Sequence, residues 1–402
     1  KEVFDERTFN ENTAIVKEMV TLLQNKRIRY SYRQQFLGDF FELLLNTSLK
    51  QEAGQFFTPI PIVRFILKSL PIIEIIEKKI TEGDLNFLPY LIDYAVGTGH
   101  FLTESMDWYD YIIKNNLINT ESLNRLQKER IKIWKNTDTQ YGWAREYIYG
   151  IEKDYRLIKS AKVSCFLNGD GDAIIINGDG LDNFKTSTDY KGKLKKYNSN
   201  DSKLNEQFDV LVANPPYSVN AFRNYLNNAK ESFELYSKLT ENSSEIECLF
   251  IERAYQLLKP EGVAGIILPS SVLSNGKIYT DTRKIILKYF DIISIVSLGD
   301  STFMETGTNT IILFLRKKTN NYYDNIKNTV KDLVNGIYVN DIAINGIDHC
   351  VSKYLKDVYN DEITLEEYNI LLNNCKNLNK EISNKYSKYS QKDIKNYEIE
   401  KL

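Results

Sequence analysis

Histidine is almost missing from this chain: His100 and His349 are the only two among 402 residues. Catalytic triads and metal centres built on histidine therefore have almost no raw material, so no metal site is expected and the chemistry must run on other groups. Cysteine is sparse as well. Cys165, Cys248, Cys350 and Cys375 lie far apart and form no Cys-x-x-Cys pair, which argues against a zinc site or a disulfide framework and suits a reducing cytoplasm. No uncharged apolar run reaches the roughly 18 residues that a membrane-spanning helix needs. Lys1 opens the sequence without a Met, a basic n-region or an apolar signal core, so it reads as soluble and as a piece of a longer protein. A strong charge of one sign is lacking too. With a formal net charge of −2, a nucleic-acid partner would have to be gripped by a local basic surface or by another chain.

What is present is apolar patterning. A hydrophobic content of 42% over this length suffices for one large core with smaller attachments. From Thr13 to Leu49 apolar residues recur at helical spacing (Ile15, Met19, Leu22 and Leu23, then Phe36, Phe40, Leu43 and Leu44), which predicts two helices. Between about Leu85 and Lys317 short apolar runs alternate with longer amphipathic stretches, the pattern of an α/β protein. The predicted strands are Leu88 to Ala95, Tyr147 to Ile151, Ala173 to Ile176, Phe208 to Ala213, Val263 to Leu268, Ile292 to Ser297 and Thr310 to Leu315. The Lys-, Ser- and Asn-rich stretch from Lys185 to Glu206 is expected to be a mobile surface loop. From Thr319 the chain turns Asn-, Lys- and Tyr-rich, with helical spacing at Leu365, Tyr368 and Leu372. The expected organisation is a helical segment over 1–50, a catalytic domain over 51–318 and a mainly helical extension over 319–402.

Three groups of residues carry chemistry. Asp93-Tyr94-Ala95-Val96-Gly97-Thr98-Gly99-His100-Phe101-Leu102 falls where an apolar strand ends and a helix can begin, the place where open α/β sheets bind ligands. Asp93 can take a cationic amine there, and Gly97 to Gly99 can wrap a nucleoside-like cofactor. The spacing lacks the third glycine of a dinucleotide loop, and no Lys-Ser or Lys-Thr follows as a phosphate loop requires, so nicotinamide cofactors and nucleoside triphosphates are disfavoured. Glu152 and Asp179 stand just past the second and third strands. The first can accept ribose hydroxyls and the second an adenine amine, with Asp154 a rival for the first role.

Asn214-Pro215-Pro216-Tyr217 directly follows the strand Phe208 to Ala213. An aryl amine is a poor nucleophile while its lone pair is delocalised into the ring. Two acceptors, the Asn214 side-chain oxygen and the Pro215 carbonyl, can bind its two hydrogens and favour a pyramidal nitrogen. They would also stabilise the positive charge that grows as the nitrogen attacks a methyl sulfonium, so they act most strongly in the transition state. Consecutive prolines hold these carbonyls with fixed φ and no competing N–H. Tyr217 would offer an aromatic face to a base drawn out of its stack.

Taken in order, Gln55-Phe56-Phe57-Thr58-Pro59, the Asp93 to Leu102 loop, Asn214 to Tyr217 and Thr306-Gly307-Thr308-Asn309-Thr310 resemble the amino-methylating DNA methyltransferases. The likeness is to modification subunits of type I restriction-modification systems and their single-chain relatives, over roughly Arg33 to Lys318. It implies an S-adenosylmethionine-dependent methyltransferase fold, a mixed seven-stranded sheet flanked by helices with the last strand antiparallel. It also implies methyl transfer from S-adenosylmethionine to the N6 amine of a flipped adenine in a restriction-modification or related defence system. Cofactor binding would fall to Phe57, Thr58, Pro59, Asp93, Ala95, Gly97, Gly99, Glu152 and Asp179, and catalysis to Asn214, Pro215, Pro216 and Tyr217. The chain departs from the family pattern at Tyr94, usually proline, and at His100, often a small residue, which reads as a helix-start or packing residue. Leu257 to Gly262 and Leu268 to Ser271 read as scaffold and pocket wall. Implied partners are double-stranded DNA, a specificity subunit or fused target-recognition domain, and a restriction subunit or domain. Two other readings stay open: N-methylation of a protein glutamine or a ribosomal RNA base, and an inactive cofactor-binding module.

Overall fold

The computed structural model describes residues 6–25, 58–115, 118, 120–136, 142–168, 173–194, 203–226, 229–299, 302–303, 309–319, 341, 343, 347–373 and 380–387. Its centre is one sheet of seven strands, β1 (Leu91–Asp93), β2 (Ile148–Glu152), β3 (Ile174–Asn177), β4 (Phe208–Ala213), β5 (Leu258–Pro269), β6 (Phe290–Ser297) and β7 (Thr310–Lys317), in the order β3-β2-β1-β4-β5-β7-β6. The first five are parallel, and β7 runs antiparallel to both β5 and β6. The expected mixed sheet is therefore present. Every residue of β1, β2 and β4 is buried, as parallel strands covered on both faces must be.

The cover comes from the helices α2 (Ile60–Ser69), α3 (Ile72–Thr81), α4 (His100–Lys114), α5 (Arg125–Asn136), α6 (Tyr155–Leu167), α7 (Glu247–Leu257) and α8 (Ile278–Tyr289), while α1 (Glu6–Leu23) stands before them in the chain and α9 (Cys350–Tyr359), α10 (Leu365–Asn373) and α11 (Lys380–Ser387) follow. Successive strand residues point to opposite faces, and the two cores divide accordingly. Val210 and Val212 of β4 pack with Ile66, Leu102 and Ile158 from α2, α4 and α6. Leu211 and Ala213 pack on the other side with Leu249, Ile251 and Ile286 from α7 and α8. A third, smaller cluster joins α9, α10 and α11 through Val351, Tyr359, Tyr368, Leu371 and Tyr386. The strand order reverses between β1 and β4, so the crevice of the fold opens at the carboxyl ends of those strands, beyond Asp93 and Ala213.

Several expectations need correction. The first strand is shorter than Leu88 to Ala95: Pro89 has no N–H to give a ladder, and Tyr94 and Ala95 already belong to the turn. The fifth begins at Leu258 rather than Val263, with a register shift on β4 between Phe208 and Val210; its polar Lys-Pro-Glu start disguised it. The stretch from Lys185 is no loose loop in its described part, because Tyr190 and Leu194 are buried in the second core. The first N-terminal helix starts at Glu6 rather than Thr13, and its Ile15, Met19 and Leu22 are exposed. The second, with Phe36, Phe40, Leu43 and Leu44, lies outside the described residues, as do Gln55 to Phe57 and Thr306 to Thr308. No helix among the described residues is long and apolar enough to cross a membrane, and no cluster of His, Cys, Asp and Glu there is arranged to hold a metal ion.

Candidate active site

The turn after β1 is held from below by its own first residue. Asp93 is fully buried, and its Oδ1 accepts the Ala95 N–H at 2.9 Å. Its Oδ2 has no hydrogen-bond partner among the described residues. Burial pushes the carboxyl up to about 8, against the Ala95 N–H, with the nearby Glu152 charge adding to the rise. Gly97 and Gly99 take φ of 57° and 92°, values that L side chains rarely adopt. A methyl group on Gly97 would meet no atom of the described residues within 4 Å, so its glycine answers to backbone conformation.

Glu152 ends β2 and organises the same turn. Its carboxylate accepts the N–H of Gly97 at 2.8 Å on one oxygen, and those of Lys153 and Asp154 at 2.9 and 2.8 Å on the other. Burial raises its pKa, opposed by these three N–H groups. The rival Asp154 does something else: it caps α6, accepting the Arg156 N–H at 2.8 Å, and its bonds to the Arg156 guanidinium hold its carboxyl below the usual range. Asp179 is half-buried beyond β3, its Oδ2 receiving Lys153 Nζ at 2.8 Å and its Oδ1 the Leu181 N–H at 2.9 Å. Tyr190 donates its hydroxyl to the Asp179 carbonyl, and Arg253, buried between Phe184 and Phe233, donates to the Leu181 and Asp182 carbonyls. Gly180 brings this loop against the first one. A methyl there would lie 2.5 Å from the Tyr94 carbonyl oxygen and 3.1 Å from the Phe250 ring. Gly180→Ala is therefore expected to cost about 1–3 kcal/mol of overpacking, read as a lower Tm in thermal denaturation; an unchanged Tm would mean that the loops separate freely.

Asn214 follows β4 at the neighbouring strand end. Its Nδ2 donates to the Thr58 hydroxyl at 3.2 Å, and the Thr58 carbonyl lies 3.0 Å from His100 Nδ1. Thr58, Ala95, Val96, Gly97, His100 and Asn214 line one small cavity, so the glycine turn and the Asn-Pro-Pro-Tyr motif face a shared space. Pro59 stands just before α2, its carbonyl accepting the N–H groups of Ile62 and Val63. Tyr217 departs from expectation. It is 2% exposed, outside the lining of that cavity, and burial together with the Glu247 charge raises its hydroxyl pKa. A brace follows it: Glu247 accepts the Ser218 N–H at 3.3 Å and the Tyr279 hydroxyl at 2.7 Å. The sequence reading found neither this brace nor the Thr58 bond, since no local pattern links residues 156 positions apart.

A sheet of this order, with a glycine turn after β1 and acidic residues at the ends of β1 and β2 and just past β3, is the arrangement expected of an S-adenosylmethionine-dependent methyltransferase. Within that class the chain belongs to the N-6 DNA Methylase family, whose sequence model matches residues 32–385. It is 23% identical to the methylase subunit of the type I restriction enzyme EcoEI of Escherichia coli over 78% of this chain and 53% of that one. To the type II restriction enzyme and methyltransferase RM.Eco57I of the same species it is 25% identical over 80% of this chain and 35% of that one. The chain thus spans about half or less of these relatives. The crystal structure of the type I restriction enzyme EcoKI M protein superposes with a TM-score of 0.42 at 21% identity, covering 68% of this chain and 46% of that one.

Proposed function

We propose that the chain transfers a methyl group from S-adenosylmethionine to the N6 amine of adenine in double-stranded DNA, as the modification part of a restriction-modification system. The observation that carries this reading is the cavity shared by Gly97 of the cofactor turn and Asn214 of the amine-binding motif. The residues fit the cofactor. Asp93 offers a buried carboxylate oxygen with no partner among the described residues, suited to an ammonium group, and no described atom fills the space over Gly97. When bound, the cofactor supplies a methyl carbon on a positively charged sulfur. Glu152 shapes the turn through the Gly97 N–H and, with Oε1 taken by two N–H groups, keeps one acceptor position on Oε2 for a ribose hydroxyl. Asp179, Phe57, Thr58, Pro59, Ala95 and Gly99 are the further residues proposed to bind the cofactor.

Asn214 Oδ1 and the Pro215 carbonyl would take the two amine hydrogens, draw the lone pair out of the ring and stabilise the cation that forms as nitrogen bonds to carbon and the carbon–sulfur pair leaves with sulfur. Pro216 keeps a competing N–H away, and solvent takes the surplus proton. Tyr217 would stack on the flipped base only after local opening, because its ring is covered as the motif stands. Two relatives are named as a methylase subunit of a type I restriction enzyme and as a combined restriction enzyme and methyltransferase. A specificity subunit or fused target-recognition domain is accordingly the proposed source of DNA grip, with a restriction subunit or domain as a further partner. Incubation with methyl-labelled cofactor and mixed DNA, with and without candidate partner chains, followed by nucleoside analysis, tests the reading. N6-methyladenine is expected; label only in protein or RNA would move the assignment to glutamine or a ribosomal base.

A further inference from the structure

We infer that Arg253 is a positioning residue for Asp179 and thereby sets the chain's preference for an adenine base on the cofactor. The inference deepens the proposed function and rests on its placing of Asp179 in the cofactor site, with the adenine amine as the group that Asp179 accepts. Asp179 follows β3, an end strand that pairs only with β2 among the described residues. A loop leaving an end strand has a neighbouring strand end on one side alone. A carboxylate on such a loop needs support from elsewhere to keep one direction.

That support comes from α7. Phe250 and Arg253 stand three residues apart on it and so share a face. The Phe250 ring pairs with Tyr94 at 5.0 Å between centroids and lies 3.1 Å from where a methyl on Gly180 would sit. Arg253 is 1% exposed, and its Nη2 donates to the Leu181 carbonyl at 3.0 Å and to the Asp182 carbonyl at 2.7 Å. A guanidinium only donates and a carbonyl only accepts, so the direction of these bonds is fixed. Leu181 is thereby held at both ends: its carbonyl by Arg253, and its N–H by Asp179 Oδ1 at 2.9 Å. The Tyr190 hydroxyl holds the Asp179 carbonyl. The carboxylate thus takes its direction from backbone that Arg253 anchors. Stability alone does not call for a cation at this place. The guanidinium carbon lies 4.3 and 4.9 Å from the Phe184 and Phe233 ring centres, and Nε and Nη1 have no hydrogen-bond partner among the described residues. An apolar side chain suits such a slot, and replacing a buried ion by one is often neutral for stability. What the guanidinium adds is its pair of bonds to the loop.

Arg253→Met keeps the apolar fill and removes the donors. Calorimetric Kd values for S-adenosylmethionine, and for its counterpart with unsubstituted purine in place of adenine, read the base end of the cofactor separately from the rest. The unaltered chain should prefer adenine by about tenfold or more, because a site built around an amine rejects a ligand that lacks it. In Arg253→Met the Kd of S-adenosylmethionine should rise roughly 5- to 20-fold and that of the purine counterpart less than about threefold, so that the preference collapses. Tyr190→Phe should show the same split in milder form, and it carries the test if the methionine variant fails to fold. Equal weakening of both ligands would make Arg253 a general prop of the fold and overturn the inference, as would an unchanged preference in a folded variant. Asp179→Ala separates the inference from the reading beneath it. Preference lost there but kept in Arg253→Met would sink the positioning role alone. Preference kept in Asp179→Ala would take the amine away from Asp179 and the inference with it, and an unaltered chain that binds neither ligand would overturn the proposed function itself.

Discussion

Asn214→Ala is expected to lower methyl transfer by about 10²- to 10³-fold or more, the usual loss when one preorganised acceptor or donor leaves a developing charge. Cofactor affinity should stay within a few fold. Both halves follow from position. Asn214 shares the cavity with the glycine turn, yet the groups proposed to hold the cofactor belong to other strand ends: Asp93 at the end of β1, Gly97 in the turn after it, and Glu152 at the end of β2. Single-turnover rates measured beside calorimetric Kd values separate the two effects. Full transfer by the alanine variant would remove Asn214 from the mechanism.

The second large effect is a proton. Asp93 stands at about 8 because it is buried, so at pH 6.5 the carboxyl is protonated before cofactor arrives. An ammonium bound against Oδ2 favours the carboxylate, and an α-amino group with an ordinary pKa near 8 is already charged at that pH. Cofactor binding at pH 6.5 should therefore release about one proton, visible as a dependence of calorimetric heat on the buffer's ionisation enthalpy. Asp93→Asn should abolish the release, and Asp93→Ala should weaken binding on the order of 10- to 100-fold. Glu152→Ala should weaken it too, chiefly because the Gly97 N–H of the turn and the Lys153 and Asp154 N–H groups after β2 lose their acceptor. The stability of the free chain carries the same signature with a definite sign. Asp93 binds its proton more tightly folded than unfolded, where its value is near 3.8. Its contribution is thus complete below about pH 4 and lost as pH rises through 8, and Asp93→Asn should raise Tm most at the alkaline end.

Much of this was legible in the sequence, for identifiable reasons. Parallel strands covered on both faces are continuous apolar runs, so Phe208 to Ala213 shows its limits directly. The glycine turn and the Asn-Pro-Pro-Tyr motif were legible because each follows such a run. What stayed hidden depends on contacts made at a distance. Tyr190 and Leu194 anchor a stretch whose average composition is polar. The strand start at Leu258 is paired by β4 despite Lys259, Pro260 and Glu261. Tyr217 reads as a free aromatic face until α7 and its Glu247 are packed nearby. The choice of Glu152 over Asp154 also needed three dimensions, because two residues apart either carboxylate can claim the site until Arg156 engages one of them.

A structure of the chain with a non-reactive S-adenosylmethionine analogue is the most direct test of a single methyl-transfer site. The analogue's ammonium should lie against Asp93 Oδ2, its ribose beside Glu152, and its sulfur-side substituent should face Asn214 across the small cavity. An analogue seated elsewhere, or one whose transferable end points away from Asn214, would contradict the account.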